Sequence, residues 1–221
     1  MPASPSDITR LAADDEHRPA RSITPQWLAA EAPCPANACP VIFTFAKAAH
    51  ARMPPWARQQ IDARHQRIVN SRVTAYQPRR ARLIATAAIR RFASAALADA
   101  GWLEAARHLA ALPDTLDLKA LAARAEAAEA MALILMPPGS SAFHPHTALC
   151  SGAAAAAEAG ADACHCLSRA MNDPLYVPSL EASMSAAALA AAWAGAGNAA
   201  NWKICLTVLD QALDNQYSAT P

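Results

Sequence analysis

The side chains best suited to chemistry cluster late in the chain. Phe143-His144-Pro145-His146-Thr147-Ala148-Leu149-Cys150 is followed by Cys164-His165-Cys166. Imidazole and thiolate are the ligands zinc prefers, so His144, His146, Cys150, Cys164 and Cys166 form a candidate zinc set. Spacing constrains that set. On one unbroken helix, His146 and Cys164 would stand 18 residues apart, or about 27 Å. Cys164 and Cys166 would point about 200° apart. A joint site therefore needs a break or hairpin at Gly152 or Gly160. A local site from His144, His146 and Cys150 is easier, because side chains at i and i+4 meet. The ordinary alternative is an exposed His-Pro-His segment beside buried thiols, which behave as small hydrophobes.

A second feature is charge placement. Residues 52–91 carry ten arginines against the single acid Asp62. Residues 1–51 hold four basic and five acidic side chains, and residues 92–221 hold five basic and twelve acidic. A formal net charge of +1 thus conceals a strongly dipolar chain. On a helical wheel, Ala81, Ile84, Ala85, Ala88, Phe92, Ala95 and Ala96 share one face. Arg79, Arg80, Arg82, Arg90 and Arg91 lie on the other. These five arginines are the candidate partner-binding residues. They could meet nucleic-acid phosphates, dock an acidic protein surface, or pair with acids of the chain's own second half or of a second copy. A pI of about 7.7 is low for a dedicated DNA binder, and no helix-turn-helix spacing stands out. A protein partner or a homo-oligomer ranks ahead of nucleic acid.

Enzyme motifs are missing. The sequence has no phosphate-binding loop, no G-x-G-x-x-G, no G-x-S-x-G, no H-E-x-x-H and no paired C-x-x-C. Gly139-Ser140-Ser141 has no recognisable base. His65 reads as a core or interface histidine, and His50 and His108 have no evident acid–base partner. The five tryptophans read as packing anchors.

The elements that carry these residues are helical. Thr24-Pro25 is a helix start within a Pro-rich arm, residues 1–37. Val41–Ala51 reads as a helix for want of a partner strand. One helix is expected from Pro54-Pro55 to about Tyr76, and a second from Pro78 to about Asp99, where Gly101 breaks it. Trp102–Leu112 is shorter. Asp114 with Asp117 resembles a cap for the stripe Leu118, Leu121, Ala122, Ala125, Ala128, Ala132 and Leu135. Helices then run from about Thr147 to Met171, Pro178 to Gly195 and Ala199 to Asp214, the last with Trp202, Leu206, Leu209 and Leu213 inward. Short connections imply antiparallel neighbours. The fold class is all-α: an antiparallel helical bundle or short helical stack over residues 38–221, with a possible sub-boundary near 137–146.

Composition agrees. The chain is 54% hydrophobic and 17% charged, which excludes a disordered polypeptide. Six glycines and 5% aromatics argue against a β-sandwich or barrel. No secretory signal is evident. The charge-free stretch Ala182–Trp202 is of spanning length but owes it to alanine and glycine, so a buried helix is expected rather than a membrane span. The implied protein is cytoplasmic and leans away from an enzyme: an interaction, adaptor or immunity-type module working through a protein-binding surface. A zinc-type enzyme or sensor using the His144–Cys166 cluster is the alternative, and an Arg-mediated nucleic-acid binder the next.

Overall fold

The computed structural model describes residues 32–134, 145–172 and 177–214, and among them every regular element is a helix. Most of the expected arm, Leu135 and nearly all of the 137–146 segment lie outside the described residues.

Helix α1 (Pro40–His50) starts on a proline and buries Val41, Ile42, Phe43 and Phe45. Where one helix to Tyr76 is expected, the chain forms α2 (Pro55–Asp62), α3 (His65–Val69) and a 3-10 turn at Thr74–Tyr76. Side chains cause the breaks. The Ser71 hydroxyl donates to Ile68 O while accepting from the Cys39 N–H, so it competes with the next helical turn. Arg64, between α2 and α3, forks onto Asp210.

Next comes a continuous rod: α4 (Gln77–Ala87), a π-helical turn (Ala88–Ala93) and α5 (Ser94–Asp99). It ends at Gly101, whose φ of 88° suits glycine, and the Trp102 N–H closes back on Leu97 O at 2.8 Å. After α6 (Leu103–Ala110), helix α7 (Leu118–Ile134) is capped by Asp117, whose carboxylate accepts the Lys119 N–H. Asp114 takes no part in that cap and pairs with Arg90 instead. The chain continues through α8 (Pro145–Asn172), α9 (Val177–Gly197), a 3-10 turn at Ala199–Asn201 and α10 (Trp202–Asp214).

Helix α8 lies between α7 and α9 and runs antiparallel to both. His165 meets Glu126 on α7, and the Ser183 hydroxyl donates to Ala163 O across to α9. The rod 77–99 passes beneath α8 and α9, while α1 and α10 close the remaining side. One apolar core extends from Ala38 to Leu213. Every described member of the α7 stripe is buried, as are Trp202, Leu206, Leu209 and Leu213. Much of the core is alanine, so the few large groups carry most of the burial energy. Phe45 and Phe92 stack at its centre with ring centroids 6.5 Å apart. Trp56 and Trp193 depart from the anchor expectation, with about two-fifths of each side chain's surface exposed.

Gly160 does not break α8. A Cβ there would lie 3.1 Å from Ile89 Cγ1 and 3.3 Å from the Ala88 carbonyl, so the bare backbone lets α8 cross close over the π turn. No helix among the described residues is long and apolar enough to cross a membrane.

Candidate functional site

Helix α8 decides the geometry of the His/Cys set. His146 Nδ1 and Cys150 Sγ face each other at 3.6 Å, one turn apart. Cys164 turns its thiol into the core toward Ala85 O, where burial pushes its pKa up to about 12. Cys166 is half-buried beside Asp162 and Arg169. His144 lies outside the described residues. Because α8 continues through Gly152 and Gly160, the hairpin that would unite the set is absent, and its two halves stand apart. Among the described residues no group of three or more His, Cys, Asp or Glu side chains is placed to hold a metal.

The five arginines divide. Arg80 is fully buried: Nη1 donates to Ser71 O at 2.6 Å and Nε to Ala212 O at 3.0 Å. Ala212 lies in the last turn of α10, where carbonyls lack helical partners and the helix dipole is negative. Arg80 is therefore a core cation and leaves the partner-binding set. The other four, Arg79, Arg82, Arg90 and Arg91, line one open groove of about 450 Å³. Leu83, Thr86, Ala87 and Ala110 contribute to its walls, and Asp114 is the single acid among its lining residues.

The π turn gathers those arginines. At about 100° per residue, an unbroken α-helix would spread Arg79, Arg82, Arg90 and Arg91 over roughly 180°. Arg90 and Arg91 lie inside the π turn, whose wider winding rotates both part of the way back toward Arg79 and Arg82 and narrows that arc. The Ser94 hydroxyl, donating to Arg90 O, accompanies this turn.

Partners fix the guanidinium groups of Arg82, Arg90 and Arg91. Arg82 Nη2 donates to Leu116 O at 2.7 Å and to Asp114 O at 3.1 Å. Arg91 donates to the Gln211 amide oxygen at 2.8 Å. Arg90 meets the carboxylate of Asp114, and its Nε is buried without a hydrogen-bond partner. Elsewhere two arginines, Arg64 and Arg67, are matched by acids of α10. Asp210 bridges Arg64 and Arg67, and Asp214 takes Arg67 again. The hydrogen bond from Arg64 holds the Asp210 carboxyl below the usual carboxylate range.

Sequence reasoning missed one pair. His50, buried at the end of α1, places Nε2 3.4 Å from Asp62 Oδ1 on α2. Burial pushes its imidazole pKa down. Twelve residues and a helix break separate the two, so no local pattern announces the contact. Comparison of the chain with family models, curated proteins and solved structures finds no match.

Proposed function

We propose that this protein is a non-enzymatic docking module whose arginine groove receives an acidic segment of a protein partner. The observation that carries the reading is the set of four guanidinium groups around one groove with a single lining carboxylate. Arginine forks bind carboxylates in bidentate fashion, and Arg82 and Arg91 are already oriented by carbonyl and amide partners, so little of their side-chain freedom remains to be lost on binding. Thr86 adds a hydroxyl, and Leu83 and Ala87 add apolar contact for the stem of a glutamate or aspartate side chain.

A compact acidic segment suits the site better than a nucleic-acid duplex. A duplex rewards an extended basic track. Here Arg64 and Arg67 are tied to Asp210 and Asp214, and the surface of α7 and α8 bears Glu126, Glu129, Glu158 and Asp162. Among the described residues, four arginines are thus gathered at the groove, apart from those acids.

Fluorescence anisotropy tests this with a labelled Glu-rich peptide and, in parallel, a labelled DNA duplex. The peptide should bind in a salt-sensitive way, and Arg79→Glu with Arg91→Glu should weaken it about tenfold or more. Equal peptide binding by wild type and variant overturns the assignment. Tighter, Arg-dependent binding of the duplex replaces it with nucleic-acid recognition.

A further inference from the structure

Away from the groove, Cys34 and Cys39 flank the tight turn Pro35-Ala36-Asn37-Ala38, closed by the Ala38 N–H on Pro35 O at 2.9 Å. Cys34 Sγ folds back over this turn to within 4.0 Å of Ala38 O, the carbonyl bonded to Cys39. Both residues line one hollow of about 230 Å³ with Arg72 and Gln77. Cys34 is exposed and Cys39 is buried, and both thiols are free. The turn is held from outside: the Arg72 N–H donates to Asn37 O, its guanidinium to Ala36 O, and Ser71 receives the Cys39 N–H.

We propose that Cys34 and Cys39 are a reversible dithiol–disulfide couple, oxidised by a low-molecular-weight disulfide. Exposure makes Cys34 the first thiol to react, and the turn places Cys39 as the resolving thiol. Cys34 thiolate attacks one sulfur of the small disulfide; a mixed disulfide forms, the reagent's S–S bond breaks, and one small thiol leaves with a proton. Cys39 thiolate then attacks the Cys34 sulfur, closing the Cys34–Cys39 bond and expelling the second small thiol. The protein gives up two electrons and two protons, and the small disulfide becomes two thiols. The other cysteines are less suited: Cys150, Cys164 and Cys205 are buried, and Cys166 has its sequence neighbour Cys164 turned away into the core.

Among the described residues, four titratable groups act on Cys34. Burial and the Cys39 thiol push its pKa up, Arg72 and Lys47 pull it down, and Glu181 adds to the rise. Thiolate supply therefore increases as pH climbs through the thiol range, and the first step should quicken accordingly.

The test treats the full chain with glutathione disulfide, alkylates remaining thiols and measures intact mass. Wild type should lose two alkylatable thiols and two hydrogens, with the crosslink mapping to Cys34 and Cys39 and dithiothreitol reversing it. Cys39→Ala should stop at a stable glutathione adduct on Cys34. If wild type itself accumulates that adduct, or the thiols of Cys34 and Cys39 stay unreacted while a free dithiol in the same tube is oxidised, the couple does not exist. The wild-type result decides even if Cys39→Ala fails to fold.

Discussion

Arg79 and Arg80 are adjacent and chemically identical, yet the fold uses them in opposite ways. Arg79 is exposed on the groove, and Arg80 ties the loop after α3 to the end of α10. Arg80→Met keeps the stem but strands two buried carbonyls, those of Ser71 and Ala212. It should cost about 2–4 kcal/mol in urea denaturation. Arg79→Met should stay within about 1 kcal/mol. Equal losses at the two positions would contradict the buried placement of Arg80. A helical wheel could not separate them, because it knows only the angle about one axis. What covers Arg80 comes from residues 71 and 212, far away in sequence. His50 and Asp62 were hidden for the same reason. His146 and Cys150 were legible because their contact is local.

Whole elements were easier to read where large apolar residues kept a strict period. The leucines of α10 and the described members of the α7 stripe, most of them alanine, are buried as that spacing implied, since a 3.6-residue period confines them to one helix face. The π turn carries no comparable signal in the residues Ala88–Ala93. Glycine misled in the other direction. A joint metal site needed a break at Gly152 or Gly160, but the helix runs through both, since a propensity difference of about 1 kcal/mol yields to tertiary contact. The two glycines should now behave differently. Gly160→Ala meets the Ala88 backbone, which cannot swing aside, and should destabilise by about 1–2 kcal/mol despite the propensity gain. At Gly152 the nearest neighbour of a new Cβ is Trp193 at 3.9 Å, so Gly152→Ala should be neutral or stabilising by up to about 1 kcal/mol. Urea midpoints at unchanged m-value check both. Loss of stability at Gly152 as large as at Gly160 would refute the close crossing.

Across the whole molecule, charge is sorted as the sequence suggested, but the sorting is finer than by thirds of the chain. Some arginines are spent on α10, one is buried, and four remain at the groove, while acids collect over α7 and α8. Burial, with Glu158, Glu126 and Asp162 nearby, pushes the Glu129 carboxyl above its ordinary range. A carboxyl whose folded pKa exceeds its unfolded value binds its proton more tightly when folded. Its charge opposes folding at neutral pH, and that opposition fades as pH falls through the carboxylate range. Glu129→Gln should therefore raise stability at neutral pH by a few tenths of a kcal/mol. The gain should shrink in acid and in high salt. Thermal melts of both proteins across those conditions decide it; a variant less stable than wild type at neutral pH and low salt would show that Glu129 has a favourable partner.

The alanine-filled interior has a thermal consequence. Each methyl group removes little surface from water, so unfolding newly wets less apolar area per residue than in a leucine-rich core. The heat-capacity increment should fall below the usual figure of about 12–15 cal/mol/K per residue. A smaller increment flattens the dome of free energy against temperature. Stability then changes slowly on either side of its maximum, and the cold limb of the curve is pushed further below freezing.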